Sequence, residues 1–269
     1  MGRLDQYYTN PEIAASFLSI TKSYLSDNHI EVGTWIEPSA GTGSFFNLLP
    51  SNRLGYDLDP KAPGIVRADF LELQLPLNSV VIGNPPFGKN ASLAVKFINH
   101  SAQFSKVIAM ILPRTFRKSS LQDRLNRHFQ LAAEYEVAPD AFIHEGQSYD
   151  VPCVFQIWQR CRKLRAKTVE RRQSQWFSFT SAGQANCIVQ RIGANAGKLK
   201  SPLSHPSPNS HYFLDASSKV KEALSEIWEM SGYDGIKYNT AGCPSIAKTE
   251  LVKLVDQFMT QHAVLEQVA

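Results

Sequence analysis

The run KVIAMILP, residues 106–113, constrains the fold more than any other stretch of the chain. It is apolar at almost every position, so a strand built from it has no face to offer to water. Such a strand fits inside a sheet covered on both sides, the situation of a parallel sheet flanked by helices. The neighbouring stretches agree. TWIEPSA (34–40), LGYDLDP (54–60) and SVVIGN (79–84) read as short strands, and IVRAD (65–69) as a further one. SLAVKFINHSAQF (92–104) has helical spacing, and SFFNLLP (44–50) reads as the start of a helix. LAAEYEV (131–137) and VPCVFQIWQ (151–159) supply two later strands. The expected fold class is α/β, a doubly wound sheet with ligands at the C-terminal ends of its strands.

The pattern changes after Arg162. RKLRAKTVERRQSQ (162–175) reads as a linker or an exposed helix, and a different composition follows. QWFSF, ANCIVQRIG and SHYFLD look like short strands, while SKVKEALSEIWEM (218–230) and TELVKLVDQFM (249–259) look like amphipathic helices. The expected division is a domain over 1–163 and a second, smaller α+β domain over 164–269.

The 269 residues are 43% hydrophobic and 19% charged, which suits a globular protein with a substantial core. No apolar run approaches the roughly 20 residues of a membrane span. MGRLDQYYTN has no apolar signal region. Cys153, Cys161, Cys187 and Cys243 are scattered without metal-ligand spacing, which argues against structural zinc and against a disulfide framework. The expectation is a cytoplasmic protein with no bound metal and no membrane partner.

The net charge of +4 is unevenly spread. Arg160, Arg162, Lys163, Arg165, Lys167, Arg171 and Arg172 stand against a single acid, Glu170. Arg114, Arg117, Lys118, Arg124 and Arg127 form a second group after the strand at 106–113. Either group alone reads equally as a solvated surface; two together favour a polyanionic partner.

EPSAGTGSF (37–45) places two glycines where the first strand of the sheet meets its helix. Gly41 and Gly43 permit tight backbone geometry and close approach of a ligand. The turn is not a phosphate-binding loop, because no Gly-Lys-Ser/Thr comes after it and Glu37 precedes it. A carboxylate there suits a cation or a hydroxyl donor. Asp57, ending the second strand, is placed to accept from ribose hydroxyls. Asp69 and Phe70 pair an acceptor for an exocyclic amine with an aromatic wall. Each acid alone also reads as a turn former.

The ordered set EPSAGTG, GYDLDP, ADF and NPPF resembles the S-adenosylmethionine (SAM)-dependent amino-methyltransferases, above all those acting on adenine N6. DQYYTNPEIA, standing before the Gly-rich turn, resembles the N-terminal cofactor-binding segment of the gamma-class DNA adenine methyltransferases. The resemblance spans roughly residues 5–160. It implies a Rossmann-like methyltransferase sheet and SAM as cofactor. Tyr8 and Thr9 would border the methionine end, and Glu37, Pro38, Ser39, Gly41 and Gly43 would line it. Asp57 would hold the ribose, and Asp69 with Phe70 the adenine.

Within VVIGNPPFGKN (80–90), Asn84, Pro85, Pro86 and Phe87 form the expected catalytic corner. An exocyclic aromatic amine is a poor nucleophile, because its lone pair is delocalised into the ring. The Asn84 side-chain oxygen and the Pro85 carbonyl could accept its two hydrogens and localise that lone pair on nitrogen. The prolines would hold both oxygens with little freedom to reorganise. Phe87 would stack on a base extruded from its helix. Relatives that methylate cytosine N4 commonly carry Ser at the first position, so Asn84 favours adenine.

ANCIVQRIGANAGKL (185–199), SHYFLDA and NTAGCPSIAKTELVKL (239–254) resemble, in that order, a target-recognition domain of type I specificity subunits. Ser245 with Thr249 and Glu250 fits a helix start equally well. The resemblance implies base contacts from Gln190, Arg191, Asn195 and Lys198, and phosphate contacts from the basic residues around 160–172. The expected partner is duplex DNA, and a cognate restriction nuclease is one such an enzyme can have. The alternatives left open are RNA such as ribosomal RNA, a protein glutamine, and binding without turnover.

Overall fold

The computed structural model describes residues 7–144, 147–201, 206–240 and 242–268. Asp5 and Gln6 of the DQYYTNPEIA segment, and Ala241 of the 239–254 segment, lie outside the described residues. Chain contacts divide the protein into two compact units, Met1–Lys167 and Thr168–Ala269.

The first unit begins with β1 (Tyr8–Thr9) and α1 (Pro11–Asp27), followed by β2 (Trp35–Glu37), β3 (Arg53–Asp57), β4 (Val66–Arg67) and β5 (Ser79–Gly83). Next come α2 (Ser92–Ser101), β6 (Ser105–Pro113), α3 (Ser119–Gln122) and β7 (Phe129–Glu136). The unit ends with β8 (Phe142–His144), β9 (Gln147–Tyr149) and β10 (Cys153–Arg160). Seven strands make one sheet in the order β4-β3-β2-β5-β6-β10-β7. The β2, β3, β4, β5 and β6 pairings are parallel, and β10 runs antiparallel to both β6 and β7. Strand order reverses between β2 and β5, which makes their adjacent C-terminal ends the switch point of a doubly wound sheet. The fold is α/β, a Rossmann-like doubly wound sheet with a smaller second unit.

The apolar run at 106–113 behaves as its composition demands. Val107, Ala109 and Ile111 join one buried cluster, with Val80, Ile82, Phe155 and the α1 residues Ala14, Phe17, Leu18 and Leu25. Ile108, Met110 and Leu112 join the other, with Val81, Trp158 and the α2 residues Ala94, Val95, Phe97 and Ile98. Alternate side chains of a strand face opposite ways, so both faces of β6 are consumed.

Helix α1 was not read from the sequence, although its signals are there. The Asn10 side chain accepts from the Glu12 amide at 3.0 Å, and Pro11 opens the first turn. Buried Ala14, Phe17, Leu18, Thr21 and Leu25 trace one helical stripe. By contrast, the helix expected from SFFNLLP is a single 3₁₀ turn, Phe46–Leu48. Pro50 has no amide hydrogen to continue a helix, and β3 begins three residues later.

A separate three-stranded antiparallel sheet, β1-β8-β9, fastens the N-terminal segment. Thr9 pairs with Phe142, and the Tyr7 ring stacks on Tyr149 with centroids 4.9 Å apart.

The second unit holds β11 (Phe177–Phe179), β12 (Cys187–Gln190), β13 (Leu199–Lys200) and β14 (His211–Ala216) in the antiparallel order β11-β14-β12-β13. Three helices come after them: α4 (Ser218–Glu229), α5 (Asp234–Lys237) and α6 (Lys248–Val268). Val220, Ala223, Leu224 and Ile227 of α4 meet Leu251, Val252 and Val255 of α6 and the inward side chains of the sheet. At the start of α6, the Glu250 carboxylate accepts from the Ala247 amide at 2.7 Å, so the 245–250 segment does cap a helix. No helix among the described residues is long and apolar enough to cross a membrane.

Tyr233 is fully buried in this second core, and its hydroxyl has no hydrogen-bond partner. An unpaired buried hydroxyl costs about 1–3 kcal/mol, whereas the ring contributes packing. Tyr233→Phe is therefore expected to stabilise the protein by about 1 kcal/mol. Chemical denaturation of the full-length chain, read as the shift in midpoint at constant slope, measures it.

Candidate active site

Glu37 ends β2 at 3% exposure, the deepest acid among the described residues of the first unit. Its Oε2 accepts from the Phe46 amide at 2.5 Å, which folds the Gly-rich turn back over the strand end. Burial pushes its carboxyl well above the ordinary range; the Phe46 amide opposes this, and the negative charge of Asp57 adds to it. A carboxyl so placed gains from any cation brought beside it.

The turn itself is built around missing side chains. Gly41 has a φ of +46°, and a Cβ there would stand 2.9 Å from the Tyr8 ring. That clearance lets β1 lie against the turn, where the Ser44 hydroxyl donates to the Thr9 carbonyl at 2.7 Å. The Asp57 Oδ2 accepts from the Gly41 amide at 2.7 Å, and its Oδ1 from the Asp59 amide at 2.8 Å. Two amides leave a carboxylate with lone pairs to spare, so Asp57 both braces the turn and keeps capacity for a hydroxyl. Gly43 also lies at positive φ, +83°, with its amide donating to the Ala40 carbonyl at 2.6 Å. Tyr8, Thr9, Glu37, Ser39, Gly41, Gly43 and Asp57 are thus gathered at one strand end. Pro38 is buried beside Glu37, in reach of Gly83.

At the end of β5, the Asn-Pro-Pro-Phe corner joins this group. A Cβ on Gly83 would meet the Glu37 Cγ at 3.3 Å and the Pro38 Cδ at 3.4 Å, so the two strand ends touch. The Ser39 hydroxyl donates to the Asn84 backbone carbonyl at 2.9 Å. The Asn84 Nδ2 donates to the Tyr7 carbonyl at 3.2 Å. Its Oδ1 is buried and has no partner. A buried carbonyl oxygen without a donor is costly to a fold and is one of the few such atoms among the described residues. Pro85 is buried, Pro86 and Phe87 half-buried, and the Phe87 ring packs against both core clusters. The Phe87 carbonyl accepts from the Leu93 and Ala94 amides at 3.1 and 3.3 Å, anchoring the corner to the start of α2. Between them the backbone turns sharply, with positive φ at Gly88, Asn90 and Ala91; for the last two this is a strained conformation.

Several expected site residues are placed differently. Phe70 is only 2% exposed, stacked on Phe97 at 5.3 Å and edge-on to His100. It is a core residue holding α2, not an open wall for a ring. Asp69 caps the short turn after β4, its Oδ1 accepting from the Leu71 amide at 2.9 Å. Arg165 also departs from expectation. Its guanidinium donates to the carbonyls of Gln122, Leu125 and Phe129, pairs with Asp123 at 3.3 Å and lies over the Trp158 ring. With its donors so engaged, it braces the edge of the sheet, and a phosphate would have to displace those bonds.

Arg117 pairs with Glu134 at 2.8 Å and with Glu136, and Arg114 pairs with Glu136 at 3.2 Å. Glu134 also accepts from buried Gln156, which accepts in turn from the Trp158 indole. The charge of this group is thereby partly neutralised by β7, and its strand partners were not foreseen in the sequence. Lys118 is half-buried at the start of α3. Arg162 and Lys163 are exposed. In the second unit Lys198 and Asn195 are exposed on the β12–β13 hairpin, while Arg191 lies over the Tyr212 ring at 5.7 Å. Tyr7 was not singled out in the sequence. Its backbone carbonyl reaches the corner, and no side-chain pattern announces a backbone acceptor. Among the described residues no cluster of His, Cys, Asp and Glu could hold a metal ion.

No protein-family model matches the chain, and no curated protein matches it. Solved structures do. A Pyrococcus horikoshii protein assigned as an RNA methyltransferase is 20% identical with a TM-score of 0.46, covering 59% of this chain and 89% of its own. A Thermoplasma acidophilum protein is 21% identical with a TM-score of 0.44, covering 59% of this chain and 92% of its own. The 23S rRNA methyltransferase ErmE is 15% identical with a TM-score of 0.40, covering 94% of this chain and 99% of its own. These are likenesses of chain trace, and they carry nothing about a substrate.

The raised carboxyl of Glu37 has a consequence for stability. An acid whose folded pKa is raised holds its proton longer in the folded state, so stability is fully present below the ordinary value near 4.5 and is lost as pH rises through the folded value. Glu37→Gln removes that loss. It is expected to melt at a higher temperature than the wild type at neutral pH, with the gap closing as pH falls into the ordinary carboxylate range. Thermal unfolding of both proteins across pH 4–8 measures the gap, and a constant offset would contradict the assignment.

Proposed function

We propose that the protein transfers a methyl group from SAM to the exocyclic N6 of adenine in duplex DNA, at a specific site. The observation that carries the reading is the buried, unpartnered Oδ1 of Asn84 at the switch point of the sheet. Its amide nitrogen is already engaged by the Tyr7 carbonyl, so the oxygen is the free end and can only accept. An exocyclic amine offers the donor it lacks.

The residues present fit the cofactor. The Glu37 carboxyl is buried beside the like charge of Asp57, and a cationic group relieves both. The close approach allowed by Gly41 and the spare lone pairs of Asp57 suit a ribose at the turn. Glu37, Gly41, Gly43, Asp57, Tyr8 and Thr9 would hold it; the Ser39 hydroxyl, in the same turn, is already given to the Asn84 carbonyl. When bound, SAM supplies an electrophilic methyl carried on a sulfonium.

The chain's own residues then prepare the nucleophile. Asn84 Oδ1 and the Pro85 carbonyl accept the two amine hydrogens, drawing the nitrogen out of conjugation with its ring. Neutral acceptors do this without placing a charge in a buried site. The prolines limit reorganisation, which is where electrostatic preorganisation gains its advantage. Phe87, anchored in both core clusters, offers a ring to the extruded base. Among the polar surfaces, Arg162, Lys163 and Lys167 are exposed and suit phosphates better than the ion-paired Arg114 and Arg117. Duplex DNA rests on the N-terminal segment order and on the second unit's likeness to target-recognition domains.

Asn84→Ala is expected to lower kcat at least several hundredfold, on the order of what one preorganised catalytic hydrogen bond contributes. Methyl transfer from labelled SAM at saturating substrate measures it, and an unchanged rate would remove Asn84 from catalysis. The same assay on matched duplex oligonucleotides and structured RNA identifies the polymer. Label on the duplex, with affinity falling steeply between low and high salt, is the expected result; label on RNA alone would overturn the choice of DNA.

A further inference from the structure

The proposed mechanism needs two oxygens aimed at one nitrogen: Asn84 Oδ1 and the Pro85 carbonyl. The peptide plane joining Asn84 to Pro85 lies between them in the chain. Proline locks its own φ near −65°, so once that plane is fixed the Pro85 carbonyl has a single remaining backbone rotation. The orientation of the plane therefore limits where the Pro85 carbonyl points relative to the Asn84 side chain.

That plane is held from outside the corner. The Asn84 backbone carbonyl accepts from the Ser39 hydroxyl at 2.9 Å. The other end of Asn84, its Nδ2, is held by the Tyr7 carbonyl at 3.2 Å. Neither partner belongs to β5 or to the loop after it. Ser39 sits in the Gly-rich turn between Glu37 and Gly41, and Tyr7 directly precedes Tyr8 and Thr9 of β1. The two prolines contribute no backbone amide hydrogens to this work.

We infer that Ser39 is a positioning residue for the acceptor corner, its hydroxyl fixing the Asn84–Pro85 peptide so that the cofactor turn sets the geometry of the amine site. This rests on the proposed function for its catalytic consequence but not for its geometry. Ser39 need not touch the base, and its hydroxyl is spent on the corner. A ligand that orders the turn also orders the acceptors.

The test is Ser39→Ala in the full chain, with Ser39→Thr as the conservative variant. Ser39→Ala is expected to lower kcat about tenfold, the scale of one lost hydrogen bond in a preorganised site. The dissociation constant for SAM, from calorimetry, should stay unchanged, and Ser39→Thr should restore most of the rate. A Ser39→Ala enzyme with the wild-type kcat, or one whose whole defect lies in SAM affinity, overturns the inference. A second readout is independent of turnover. In isotope-labelled protein, Ser39→Ala is expected to shift the Asn84 carbonyl ¹³C resonance and broaden its side-chain amide pair, while thermal unfolding shows the fold intact. If the wild type methylates no adenine, the proposed function falls, and these resonances still decide: unchanged Asn84 signals overturn the positioning role.

Discussion

Two strand ends pressed together at the sheet's switch point govern the first unit. Gly83 has no side chain, so the end of β5 lies against Glu37 and Pro38 at the end of β2. Everything assigned to the site hangs from that contact. The turn after β2 and the corner after β5 lie side by side because the two strands are paired neighbours, and the absent Cβ of Gly83 leaves room for Glu37 and Pro38 between them. Parallel strands place both C-terminal ends on one side, and the reversal of strand order opens the crevice there.

Around that contact polar groups bond separate segments to one another in pairs. Glu37 accepts from Phe46, Gly41 donates to Asp57, Ser44 to Thr9, Ser39 to Asn84, and Asn84 to Tyr7. Beside them the Asn84 Oδ1 is buried with no donor. It is one of the few unpaired buried side-chain atoms among the described residues, and stability is given up there. The strained backbone at Asn90 and Ala91, a few residues on, belongs to the same corner.

The basic residues illustrate the opposite outcome. Arg165 stood in a run of positive charge that read as a polyanion contact, yet its guanidinium is consumed by three carbonyls and Asp123. Arg114 and Arg117 answer the acids of β7. Arg162 and Lys163, in the same run as Arg165, remain exposed. A count of charges along the chain cannot distinguish a brace from a contact, because strand pairing brings the acids from far away in sequence.

Much of the fold was legible without coordinates. Short apolar runs placed the strands of the seven-stranded sheet and β11, β12 and β14, though not β1, β8, β9 or β13, and helical spacing placed α2, α4 and α6, because burial acts on each short segment through its own apolar pattern. The Gly-rich turn and the Asn-Pro-Pro-Phe corner were also legible, since glycine and proline act on their own backbone. Phe70 shows the limit: the residue types suggested an aromatic wall, and packing against Phe97 made it core. The helix expected after Gly43 shrank to one turn for a local reason, at Pro50. What only the tertiary structure decided is which polar atoms meet. Ser39 and Asn84 are 45 residues apart, and Asn84 and Tyr7 are 77 apart. A hydrogen bond needs its atoms within about 3 Å, and only the stacking of β2 beside β5, with β1 folded over both, brings these together.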